Sequence, residues 1–151
     1  MFPGSDSRLE KRGVARSPQG RAVLNRMTKY LMVGLGGALG SILRFWVGGF
    51  LGERMGSRFP YGTFFVNCTG SFLIGLVVTL LAEKGHWNAN WRYLIPIGFI
   101  GGYTTFSTFE LETFRSFQDG EILIAGLNVF LSVIVGFASV WLGVITGRRI
   151  S

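Results

Sequence analysis

The sequence predicts an all-α membrane protein with four transmembrane helices, the third of them broken. Apolar residues make up 48% of the 151-residue chain, and its mean hydropathy is positive, +0.40. These residues gather into four runs, each near the ~20 residues that a spanning helix needs. The third run holds a cluster that hydrocarbon alone does not tolerate, Gly101-Gly102-Tyr103-Thr104-Thr105-Phe106-Ser107-Thr108-Phe109. Loosened backbone and dense hydroxyls persist at that depth only where protein buries them or they line a wet path.

The chain opens on residues 1–27, which are basic and rich in Ser, Gly and Pro. They lack an apolar h-region, so they are no secretory signal, and they read as a disordered basic tail. Met27, just ahead of Lys29, is a candidate true start, with the tail a mis-assigned extension. Residues 28–150 form the membrane domain. Segment one runs from about Tyr30 to Phe50 and segment two from about Thr63 to Ala82. Segment three runs from about Tyr93 to Phe114 and segment four from about Ile122 to Thr146. Trp87, Trp91 and Tyr93 suit an interfacial belt. A soluble four-helix bundle would carry a polar face on each helix. Segments two and four carry no charge, which excludes it.

Other classes are excluded by what the chain lacks. One cysteine, Cys68, and one histidine, His86, leave no internal disulfide and no multi-cysteine metal site. No P-loop, dinucleotide fingerprint or nucleophile–base pair is present, so the chain is not read as an enzyme. The net charge of +7 raises nucleic acid as a partner, but seven of the fifteen Lys and Arg residues precede the first apolar run. The others sit mostly at segment ends, as at headgroups and cytoplasmic loops. The partner implied is a lipid bilayer and not nucleic acid.

Polar positions inside the apolar runs point to transport. Arg44 costs several kcal/mol in hydrocarbon unless it snorkels or faces water. Recurring polar groups at matching positions favour a fixed positive charge in an aqueous vestibule. Asn67 is either helix–helix glue or a source of two N–H donors for a dehydrated anion. Ser71 lies four residues on, on the same face. Asn128, Ser132 and Ser139 form a weaker set, and Gly136 continues the face of Asn128 and Ser132. Phe106 and Phe109 share a face, and their positive ring edges can stabilise a small anion without trapping it. The Gly101-Gly102 pair is read as the helix break, freeing carbonyls for a small hard cation such as Na⁺. Gly36 with Gly40, and Gly98 with Gly102, make two GxxxG pairs, which favour tight packing and oligomerisation. Four helices enclose little volume, so a path through the protein calls for two copies.

The chain resembles the Fluc family of fluoride channels, also called CrcB, over roughly residues 29–149. The resemblance rests on Gly36-Gly37-Ala38-Leu39-Gly40 with Arg44, on Gly62-Thr63 with Val66-Asn67 and Gly70, and on Gly98 to Phe109. It implies an antiparallel, dual-topology homodimer in the bacterial plasma (inner) membrane, with separate fluoride pores and passive export of cytoplasmic fluoride. It implies that Phe106, Phe109, Asn67, Thr105 and Ser132 line the pore, with Arg44 in the vestibule. Backbone carbonyls of Gly101 and Thr104 from both subunits would hold a structural Na⁺ at the dimer interface. Gly136 stands where a second segment-four serine is expected. The long basic tail is a further departure and favours a single orientation.

The competing reading is a small four-helix, proton-coupled multidrug exporter. Such a carrier needs a membrane-embedded carboxylate. Glu110 and Glu112 fall past the polar cluster, and segment one offers Arg44 instead of a glutamate, which disfavours it.

Overall fold

The computed structural model describes residues 18–56, 58–83, 88 and 90–151. All of its regular structure is helical: α1 (Pro18–Met55), α2 (Tyr61–Glu83), α3 (Tyr93–Ile100), α4 (Gly101–Tyr103), α5 (Phe106–Gln118) and α6 (Ile122–Ile150). Three helices, α1, α2 and α6, are long and apolar enough to cross a membrane. Segment three is interrupted, being divided among α3, α4 and α5. The belt residue Trp87 lies outside the described residues.

The disorder expected for residues 1–27 fails for residues 18–27, which are the first turns of α1. Pro18 suits a first helical turn, where its missing N–H has no partner to lose, and Arg21, Ala22 and Leu24 are strong helix formers. The rest of that tail, residues 1–17, lies outside the described residues. With 38 residues, α1 is about 57 Å long at 1.5 Å per residue. A hydrocarbon core of ~30 Å therefore leaves several turns outside it.

Glycines set the packing. α1 lies along α3 and α4, and α2 along α6. A Cβ on Gly36 or Gly40 would run into the carbonyls of Leu94 and Phe99. One on Gly102 would stand 2.6 Å from the Gly37 carbonyl. The two GxxxG pairs thus face each other inside one chain. Their close approach joins segment one to segment three, and Ser41 adds a hydrogen bond of 3.4 Å to the Gly102 carbonyl.

α3 is wound one residue wider than an α-helix. Pro96 sits inside it, and the Gly101 N–H reaches back to the Pro96 carbonyl. A proline removes one intrahelical donor and crowds the preceding turn, and a π-type turn accommodates both.

The two ends of the bundle differ in charge. Arg21, Arg26 and Lys29 of α1 lie at the end shared by Arg92, Arg148, Arg149 and Glu83. That placement follows from Lys29 Nζ, 5.1 Å from the Tyr93 ring centroid, and from the Ser151 hydroxyl donating to Glu83. The opposite end carries Arg58 paired with Glu121 at 3.2 Å.

Candidate functional site

The break in segment three lies one turn beyond the glycine pair that was expected to make it. Gly101 and Gly102 are helical, whereas Thr104 (φ −76°, ψ 156°) and Thr105 (φ −149°, ψ 117°) are extended. A side chain from α2 holds this kink. Asn67 Nδ2 donates to the Thr105 carbonyl at 2.9 Å, and the Thr105 N–H donates to Asn67 Oδ1 at 2.8 Å. The amide thereby pairs both backbone groups of one residue, the accounting that buried backbone requires. One N–H of the Asn67 amide remains for another acceptor.

Thr105 then starts α5. Its hydroxyl oxygen accepts the Thr108 N–H at 3.3 Å and donates to the Thr108 hydroxyl at 2.9 Å, an N-cap. On the other side of the kink, the Thr104 N–H and hydroxyl both go to the Ile100 carbonyl, each at 3.0 Å. Neither the Thr104 nor the Thr105 N–H therefore partners the Gly101 carbonyl, which a continuous helix would have occupied.

Around this kink the structure gathers most of the residues singled out by sequence. A cleft of about 370 Å³ is lined by Asn67, Ser71, Gly101, Thr104, Thr105, Phe106, Phe109 and Ser132, with Gly70, Ile74, Pro96, Ile100 and Val133. The Phe106 and Phe109 rings stand 5.6 Å apart, tilted by 42°. Phe106 is 70% exposed, so one wall of the cleft is open in the single chain.

Arg44 is not in this cleft. It lines a larger cavity of about 790 Å³, together with Ser41, Thr63, Thr105, Thr108 and Glu112. Glu112 Oε1 accepts the Thr63 hydroxyl at 2.9 Å, while its Oε2 is buried with no partner among the described residues. Thr105 is common to both linings.

A polar chain ties α6 to α5 beside the cleft. Ser132 donates to Asn128 Oδ1 at 3.3 Å, and Asn128 Nδ2 to the Thr113 hydroxyl at 2.8 Å. Thr113 donates in turn to the Phe109 carbonyl at 2.8 Å. Asn128 is 1% exposed, so every bond it makes is worth more than at a surface. Sequence reasoning ranked Asn128 low and passed over Thr113 and Pro96. Pro96 carried a signal of its own, a proline within a spanning segment. Thr113 did not, since its role depends on Asn128 of the next helix, 15 residues on. At Gly136, an added Cβ would lie 3.8 Å from the Ser71 hydroxyl. Ser71 thus brings a hydroxyl from α2 to the place where segment four lacks one.

Comparison with known proteins adds an independent observation. The family described as "CrcB-like protein, Camphor Resistance (CrcB)" matches residues 31–144. A fluoride-specific ion channel FluC of Acidobacterium capsulatum is 53% identical over 122 residues, covering 81% of this chain and 98% of that protein. Its namesake in Solibacter usitatus is 46% identical, covering 80% of this chain and 99% of the relative. That of Geotalea daltonii is 44% identical, covering 82% of this chain and all of the relative.

Proposed function

The chain belongs to the CrcB-like protein family, and from that premise we propose that it is a fluoride-selective passive channel, not an enzyme. The observation that carries the reading is the cleft at the kink. It sets amide, hydroxyls and two phenylalanine rings around one space, and no carboxylate among the described residues lines it. The proton-coupled exporter would need an acidic group there. Of the two candidates, Glu112 lines the other cavity and accepts a hydrogen bond from Thr63.

Fluoride is small and strongly hydrated, so it must exchange water for donors as it enters. Arg44 supplies a positive charge in the vestibule that concentrates anions. Thr108 and Thr105 offer hydroxyls at the passage from vestibule to cleft. The spare Asn67 N–H and the ring edges of Phe106 and Phe109 then replace lost water. Ring edges attract weakly enough that the ion leaves. Ser132 adds a hydroxyl on the far wall. Larger halides meet the paired rings as a constriction.

The working unit is an antiparallel homodimer of dual topology in the bacterial inner membrane. Each chain contributes four passes, the third through α3, α4 and α5. The open wall beside Phe106 supports this, because a second copy would close it. A structural Na⁺ at the interface suits the donor set. The Gly101 carbonyl is left without a helical N–H partner and the Thr104 carbonyl lies at the kink. Both are neutral oxygen donors of the kind a hard cation prefers. Such an ion would fix the two kinks against each other.

Efflux from proteoliposomes, read with a fluoride electrode, tests the function. Fluoride leaves the vesicles down its gradient without a proton gradient, and chloride does not. Equal chloride flux would remove the selectivity, and dependence on a proton gradient would restore the exporter.

A further inference from the structure

The first turns of α1 precede the stretch that the family shares, which starts at residue 31, and they have a pattern of their own. At 100° per residue, Arg21, Asn25 and Lys29 fall in one line with Arg26 beside it. Val23, Leu24, Met27, Tyr30 and Leu31 fall on the opposite face. Val23 (61%), Leu24 (54%) and Met27 (55%) are exposed, so none of the described helices covers that face. No acid lies between Pro18 and Phe50, so α1 offers these cations no acidic neighbour. Lys29, the last cation before the long apolar run, lies beside the ring of Tyr93, an aromatic of the kind that settles at the membrane interface. The amphipathic turns therefore emerge where lipid headgroups begin.

We propose that Arg21–Leu31 is a docking surface for anionic phospholipid headgroups, its apolar face resting in the interface and its cations on the phosphates. Charge complementarity selects this occupant. A basic face over an apolar one, continuous with a membrane span, matches a negatively charged bilayer surface.

The test uses the full chain carrying Val23→Cys in a Cys68→Ala background, labelled with an environment-sensitive fluorophore at residue 23. It is reconstituted in neutral phosphatidylcholine vesicles and in vesicles with one-third phosphatidylglycerol. The emission shifts to the blue only in the anionic vesicles and reverts at high salt. Adding Arg21→Gln and Arg26→Gln lowers the docked-to-free ratio by about thirtyfold, from roughly 1 kcal/mol per cation at a charged surface. Inorganic phosphate added to neutral vesicles produces no shift, which separates a lipid surface from a free anion. An equal shift in neutral vesicles would mean that the apolar face docks without the headgroup charge, and one that grows with protein density that it packs on protein; either would overturn the proposal. So would a shift that survives the double substitution. Fluoride efflux from the same vesicles is measured in parallel. It stays intact in the Arg21→Gln/Arg26→Gln chain, so failure of docking and failure of the channel reading are told apart.

Discussion

Replacing Asn67 with aspartate exchanges one nitrogen for one oxygen, and the structure separates its two consequences. The Nδ2–H that reaches the Thr105 carbonyl at 2.9 Å becomes an acceptor facing an acceptor. The other bond, from the Thr105 N–H at 2.8 Å, survives. Losing the first and leaving a part-buried carbonyl unpaired costs about 1–3 kcal/mol. The second consequence is charge. A carboxylate about 4 Å from a passing anion, at an effective dielectric near 20, raises the barrier by about 4 kcal/mol, or roughly a thousandfold in rate. The assay is initial fluoride efflux from proteoliposomes, alongside thermal unfolding in detergent. Asn67→Leu is the matched control, since it removes both hydrogen bonds without adding charge. Aspartate should slow flux far more than leucine does, while leucine destabilises at least as much. Unchanged flux in Asn67→Asp refutes a place for Asn67 in the pathway. Equal loss in both variants leaves Asn67 only its grip on the kink.

Further outcomes follow from packing and hydrogen bonding. Gly40→Ala should destabilise by about 1–3 kcal/mol, the usual range for overpacking, because its Cβ meets the Phe99 carbonyl and lies 2.8 Å from the Tyr103 nitrogen. Gly34→Ala, with nothing within 4 Å, should leave thermal unfolding unchanged or slightly improved. Gly136→Ser should fold normally, since its nearest neighbour is the Ser71 hydroxyl at 3.8 Å, and efflux should be retained or increased; a collapse in expression would contradict the spacing. Asn128→Leu should cost about 1–3 kcal/mol by orphaning buried polar groups, with Ser132→Ala milder because that hydroxyl ends the chain of bonds; unfolding midpoints compare them.

The apolar runs located α2, α6 and the apolar part of α1, because a spanning segment needs about 20 apolar residues. The same runs concealed the kink. Gly101-Gly102 looked like the break because glycine weakens helices locally, yet both glycines are helical and serve approach to Gly37 and its neighbours. The break falls at Thr104–Thr105, where the amide of Asn67 takes over the backbone, and no local pattern announces a partner 38 residues away. The GxxxG pairs were legible as contact surfaces but not as partners of each other. Asn67, Thr105, Phe106, Phe109 and Ser132 came together as a set through the family resemblance, and all five line one cleft. Arg44 was legible as a charge near water, but the separate cavity that it lines was not. The helical start at Pro18 was hidden by a composition that resembles disorder.

Thr105 belongs to the walls of both cavities. On the reading advanced above, the partition between a roomy, charged antechamber and a narrow aromatic one is a single residue thick. An ion crossing it would shed its water over the span of one side chain instead of along a long dry tunnel. The electrostatic barrier of such a crossing scales with the length of low-dielectric path, so a thin partition permits fast passage. Its selectivity would then be decided at one threshold, where the hydroxyl of Thr105 is already held by Thr108.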